Sequence, residues 1–187
     1  MKQIKNFLKI GCLICAFTIC GICFGGCAQK EKEEHIADGK TAELTYITIG
    51  KGDAFLLKTP KDTYYMYDTG KKEDYSQIKS VLEKKQVKQI KGIFLSHGHK
   101  DHAGNVKRIM KDYPVETIYL SKKDAASYEK NDMEKIAESY QAALKYLEGG
   151  EKLDLEGVAA DVWIPQRCDY RNANNNSVII RFHYGNN

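Results

Sequence analysis

Ser96-His97-Gly98-His99-Lys100-Asp101-His102-Ala103-Gly104-Asn105 sets four groups able to bind a metal within six positions, directly behind the apolar run Gly92–Ser96 (GIFLS). His97 and His99 alternate by two, so in an extended backbone both rings point to one side. Asp101 and His102 follow in a turn or first helical turn, where neighbours diverge. A mononuclear site would use two or three of the four, and two adjacent metals could use all of them. Neutral imidazole and carboxylate are ordinary zinc ligands, so zinc is the expected ion, one or two of them. The carboxylate makes manganese an acceptable substitute. Gly98 and Gly104 let the chain bend closely around such a site. The plain alternative is a histidine-rich surface turn. Three of the chain's five histidines falling inside six residues argues against it.

Working outward, three short apolar runs precede the motif: 43–49 (ELTYITI), 54–58 (AFLLK) and 63–67 (TYYMY). Gly50-Lys51-Gly52-Asp53 and Pro60-Lys61-Asp62 separate them, and Asp68-Thr69-Gly70 ends the third. They read as an antiparallel opening. A helical period then runs over 75–89, with Ile78, Val81 and Leu82 on one side. A strand at 92–96 delivers His97, a helix follows at 103–110 and a strand at 115–120. The longest helical pattern spans 132–147, with Met133, Ile136, Ala137, Tyr140, Leu144 and Leu147 on one face and Gly149-Gly150 to stop it. Strands are expected at 151–155, 160–164 and 177–182. The result is a mixed α/β layered domain over 42–187.

The N-terminus reads as an export segment. Met1 to Lys9 carry three lysines and no acid, and fifteen uncharged residues follow, Ile10 to Phe24. That apolar core is short of the roughly 20 residues of a membrane span. Gly25-Gly26 then precede Cys27, and the segment resembles a bacterial lipoprotein signal, although Phe24 stands where a smaller aliphatic is usual. Residues 1–26 are therefore expected to be a signal peptide and 27–41 a lipidated cysteine with a polar tether. The protein would be exported and anchored to the membrane by lipid; the alternative is an uncleaved N-terminal anchor. His35 in the tether is expected to be solvated. Of six cysteines only Cys168 lies in the domain, which excludes an internal disulfide there.

Charge excludes little but points nowhere globally. With 29 basic and 25 acidic residues the chain carries +4, and losing the three signal lysines leaves +1. Tight nucleic-acid binding needs many phosphate contacts, and this balance does not supply them. Lys79, Lys84, Lys85, Lys88 and Lys91 form one local cluster, read as a solvated helix face in preference to a polyanion site. The twelve tyrosines, eight of them from Tyr46 to Tyr128, are read as half-buried strand positions in preference to a base-stacking platform. Trp163 is expected in the core, and His183 as an ordinary strand histidine.

The histidine motif resembles that of the metallo-β-lactamase superfamily. More of the chain is similar to the competence-protein branch: Gly50-Lys51-Gly52-Asp53-Ala54, Asp68-Thr69-Gly70, Leu95 to Gly104, and Asn174-Asn175-Asn176-Ser177-Val178-Ile179-Ile180. The similarity runs from about Thr45 to Gly185 and implies an αββα sandwich, mostly its N-terminal half. It implies His97 and His99 at one metal, with Asp101 and His102 at a second, and Asp101 orienting the nucleophile as the catalytic group. Asp68 would support the site, and Asp53 would shape an adjoining loop. The implied chemistry is metal-dependent hydrolysis, with phosphodiesters such as DNA the leading substrates. Against this, the family pattern continues to a bridging aspartate and a further histidine, which do not occur before Asn187. Asp161, Asp169 and His183 are substitutes by residue type only. The sequence as it stands reads as a truncated product, a domain needing a partner, or a ligand loop with weakened metal binding. Little or no nuclease activity is expected of it, and a catalytically inactive surface binding lipoprotein is the alternative function.

Overall fold

The computed structural model describes residues 41–124, 132–169 and 171–185. The described residues all belong to one compact unit. The expected signal peptide, Cys27, His35 and Tyr128 lie outside the described residues. Among those described, no helix is long and apolar enough to cross a membrane.

Strands β1 (Glu43–Tyr46), β2 (Phe55–Lys58) and β3 (Tyr64–Tyr67) pair antiparallel, as their Gly- and Pro-bounded apolar runs predict. From β3 the sheet turns parallel. A parallel neighbour needs a crossover, and the helical segments supply it. Helix α1 (Tyr75–Lys84) leads to β4 (Ile90–Phe94). Helices α2 (Lys100–Ala103) and α3 (Val106–Asp112) lead to β5 (Val115–Ser121). Helix α4 (Met133–Ser139) precedes β6 (Ala143–Leu147), which closes a six-stranded sheet in chain order. A second sheet holds β7 (Lys152–Leu155), β8 (Val158–Trp163) and β9 (Ile179–His183), all antiparallel.

The alternation of side chains divides the interior in two. Leu56, Met66, Ile93, Ile118 and Leu120 of the large sheet meet Ile78, Leu82, Val106, Ile109 and Ala137 from the helices. On the other face Leu57, Tyr65 and Phe94 meet Leu155, Val158, Ala160 and Val162 of the small sheet. The layers are thus helices, large sheet, small sheet. Phe94 is anchored between the sheets, stacked on Tyr119 with ring centroids 4.3 Å apart, while Leu95 is buried on the helix side. Burying each is worth about 1.5–3 kcal/mol. The backbone is therefore gripped from both faces immediately before Ser96 and His97.

Three sequence expectations fail here. The long helix of 132–147 stops at Ser139, and 143–147 is the strand β6. Gln141 takes a left-handed φ of 57°, and the Ala142 amide donates to the Ala137 carbonyl, which breaks the helix. Trp163 is 60 % exposed rather than in the core: with a period of two, Val162 points inward and Trp163 outward, opposite the equally exposed Ile179. The helix expected at 103–110 is also interrupted, at Gly104 and Asn105, giving α2 and α3.

Candidate metal centre

The quoted motif lies at the carboxyl ends of the parallel strands, where crossover loops create a crevice. Asp68 follows β3, Ser96 and His97 follow β4, and Asp124 follows β5. Each is buried. Asp68 is the hub. Its Oδ1 accepts from the Ser96 amide at 2.8 Å, and its Oδ2 accepts from Ser96 Oγ at 2.6 Å and lies 2.8 Å from His102 Nδ1. A carboxylate accepting from Nδ1–H leaves the Nε2 lone pair of His102 turned away from Asp68, available to an electrophile.

His97 is 3 % exposed. Its Nδ1 lies 3.0 Å from Ser96 Oγ and 3.4 Å from Ser177 Oγ, while its Nε2 is buried with no hydrogen-bond partner. Its ring centroid stands 4.7 Å from that of His99 and 4.1 Å from that of His102. Burial, followed by the charges of His102 and His99, pushes the His97 imidazole down to about 4, so it is neutral at pH 7. Burial also works against charge on His102, but the Asp68 hydrogen bond and the Asp68, Asp101 and Asp53 carboxylates outweigh it and raise its pKa.

The remaining expected residues are placed differently. Asp101 is half-buried on α2, with no side-chain hydrogen bond or ion pair among the described residues. Its backbone carbonyl presses on the Gly52 turn: a Cβ on Gly52, whose φ is +101°, would lie 2.0 Å from it. Asp53, in that turn, has a carboxylate oxygen 3.9 Å from His102 Nδ1. Among the described residues, Asp53, Asp68 and His102 form the one triad whose ligand atoms all lie within 4.8 Å of one another. Asp161 and His183 pair with each other at 2.9 Å on the small sheet, and Asp169 accepts from the Arg171 amide and Asn175 Nδ2, so neither set joins the motif loop.

The sequence alone assigned no positioning role to several residues that hold the site. Asp124 Oδ2 accepts from the Gly98 amide at 2.6 Å, pinning the backbone between His97 and His99. Thr69 Oγ1 donates to the His102 carbonyl at 2.9 Å, and Asn105 Nδ2 donates to the carbonyls of Thr69 and Lys71. The Val178 amide donates to the Ser96 carbonyl at 2.8 Å, which docks the Asn-rich 174–178 segment onto the loop. Asp124 is separated from the motif by all of β5, so no local spacing could have announced it.

The residues present fit a divalent ion. A buried nitrogen left unsatisfied costs about 1–3 kcal/mol, and the neutral imidazole of His97 offers it as a lone pair. Three imidazoles with carboxylates at hand are a donor set that zinc accepts.

A helix-covered mixed sheet backed by a second sheet thus carries the His-x-His-x-Asp-His loop at its carboxyl edge, the arrangement of a metallo-beta-lactamase-type domain. Residues 47–164 match the metallo-beta-lactamase superfamily, and the chain belongs to it. It is similar to ComE operon protein 3 of Bacillus subtilis (strain 168), 22% identical over 155 residues, which cover 74% of this chain and 20% of that protein. Among solved structures it resembles the metallo-beta-lactamase GOB-18 from Elizabethkingia meningoseptica, with a TM-score of 0.58 and 20% identity, covering 77% of this chain and 54% of the other. The Cronobacter sakazakii metallo-beta-lactamase HARLDQ motif mutant gives 0.56 and 18%, covering 75% and 56%. The chain thus spans about a fifth of the curated relative and little more than half of these structures. At such identities the structural likeness establishes the fold.

Proposed function

We propose that this chain is a metal-dependent hydrolase whose loop His97, His99, Asp101 and His102 holds zinc, with phosphodiesters such as DNA as substrate. The observation that carries the reading is the buried, unpartnered Nε2 of a neutral His97 beside a His102 whose Nδ1 is held by Asp68. The resemblance to the competence-protein branch supports the substrate class. Bound zinc would lower the pKa of a water and polarise the attacked group. The chain's own residues do the positioning. Asp68 and Ser96 fix the His102 tautomer, Asp124 holds the loop backbone at Gly98, and Asp101 stands free to accept a proton or orient a water. Asp53 adds a carboxylate at the same rim.

Protein purified without a histidine tag is expected to retain zinc by elemental analysis. Turnover of single- or double-stranded DNA with zinc or manganese, which the sequence leads one to expect to be weak, should be abolished by His99→Ala and by Asp101→Ala. A protein that neither retains nor takes up metal sinks the reading. Zinc binding without turnover supports the alternative, an inactive binding lipoprotein. Export and attachment through Cys27 belong to the same proposal, supported by Gly25-Gly26-Cys27 behind an apolar core. Palmitate incorporation should disappear in Cys27→Ala, and labelling that persists would refute the anchor.

A further inference from the structure

A cleft of about 510 Å³ opens beside α2, on the side of Asp101 that faces α4. Lys71 and Lys72 line it from the segment after β3, and Lys100 and Lys107 from α2 and α3. Its apolar walls are Met133 and Ile136 of α4. Glu73 and Asp101 are its acids, so the lining carries a net +2 in a domain whose own total is near neutrality.

The four lysines differ from those singled out in the sequence. Lys79 is paired to Asp112 at 2.6 Å, Lys91 to Glu116 at 2.7 Å, and Lys85 to Glu43. Among the described residues no ion pair engages Lys71, Lys72, Lys100 or Lys107. Their arrangement is also built. Asn105 donates to the Lys71 carbonyl and Arg108 Nη1 to the Lys72 carbonyl at 2.7 Å, while the Gly104 amide donates to Gly70 at 3.1 Å. That close approach depends on a glycine, since a Cβ on Gly104 would lie 2.7 Å from the Gly70 carbonyl oxygen. Two segments some thirty residues apart are thereby locked together, and their four lysines line one cleft together with Asp101.

We propose that this cleft binds a phosphodiester chain of the single-stranded nucleic-acid type and leads it to the metal loop. The substrate class rests on the hydrolase reading above. Four lysines without ion pairs, set against two acids, favour a polyanion, and neutralising successive phosphates releases counterions. A confined groove, rather than an open face, suits a single strand, with the half-buried Ile136 as an apolar contact for a base.

The test uses the full chain in EDTA, so that binding is read without metal or turnover. Anisotropy of a fluorescein-labelled 12-nucleotide single-stranded DNA is measured for wild type, Lys72→Gln with Lys107→Gln, and Lys84→Gln with Lys88→Gln. The two double variants lose the same charge, and the second pair lies at the far end of α1 and beyond it. The cleft pair is expected to weaken binding at least about tenfold and to lower the salt slope by roughly 1.4, about 0.7 per lost phosphate contact. The control pair should change affinity less than about twofold. Equal losses in both, or no binding by wild type, would overturn the cleft. Phosphatidylglycerol vesicles form a second arm: loss of vesicle binding with DNA binding intact would make the partner a membrane surface and overturn the assignment. Zinc retention is scored separately, so a failed metal site leaves this result standing, and a failed cleft leaves the metal site standing.

Discussion

Asp68 is wholly buried in left-handed backbone, with φ 57°, and spends both carboxylate oxygens on Ser96 and His102. Such a position costs about 1–3 kcal/mol in a non-glycine residue, and the hydrogen bonds offset it. Asp68→Asn keeps the shape but turns an NH2 group toward donors, so the His102 tautomer is no longer fixed. Zinc affinity, read by chelator competition, is expected to fall by roughly 10–100-fold. An unchanged affinity would show that His102 needs no such support. His97 gives a second residue-level prediction, in the metal-free protein. Its folded pKa of about 4 lies below its ordinary value, so the unfolded chain takes up the proton first as the solution is acidified. The stability contribution is complete above about pH 6.5 and is lost as pH falls toward 4. His102, raised by Asp68, works in the opposite sense: its contribution is present at low pH and fades as pH rises through its folded pKa. Urea denaturation in EDTA should separate them. Between pH 7.5 and 4.5 wild type should lose roughly 1–3 kcal/mol more than His97→Gln. Equal losses would mean that His97 is not held neutral by the fold.

At the scale of elements, the sequence was most legible where one signal ruled. Antiparallel β1 to β3 followed from Gly- and Pro-bounded runs, and the apolar strand before His97 from GIFLS. Residues 132–147 were misread because Leu144 and Leu147 continue a 3.6-residue period begun at Met133, although Leu144 and Tyr146 also alternate as a strand requires. Tertiary pairing with β5 decided between the two, and no local pattern records a neighbouring strand. The same limit hid Asp124 and the cleft lysines, whose partners or companions lie on other elements. The junction of α2 and α3 is testable directly. A Cβ on Gly104 would lie 2.3 Å from the Lys100 carbonyl and 2.7 Å from that of Gly70, both backbone atoms that cannot swing aside. Gly104→Ala is expected to cost about 1–3 kcal/mol by thermal or urea unfolding and to weaken zinc binding with it. A neutral result would mean that the 70–72 segment is free to withdraw from α2.

Across the whole molecule, the two apolar layers and the outer face of the small sheet make different demands on similar side chains. Phe94 fills the space between the sheets, fully buried, so Phe94→Ala should cost about 3–5 kcal/mol. Trp163 is as large and as apolar, yet it sits on the outer face beside Ile179, and both are 60 % exposed. Trp163→Ser should therefore change stability by no more than about 0.5 kcal/mol, because it removes little that folding withdrew from water. As the chain's one tryptophan, Trp163 also reports its own environment without a competing signal. Its emission in the native protein should lie close to that of the urea-unfolded chain, and iodide should quench both to a similar degree. A blue-shifted native emission protected from iodide, with a destabilising Trp163→Ser, would place another surface over β8 and β9. If dilution then restored quenching, that surface would be a second molecule.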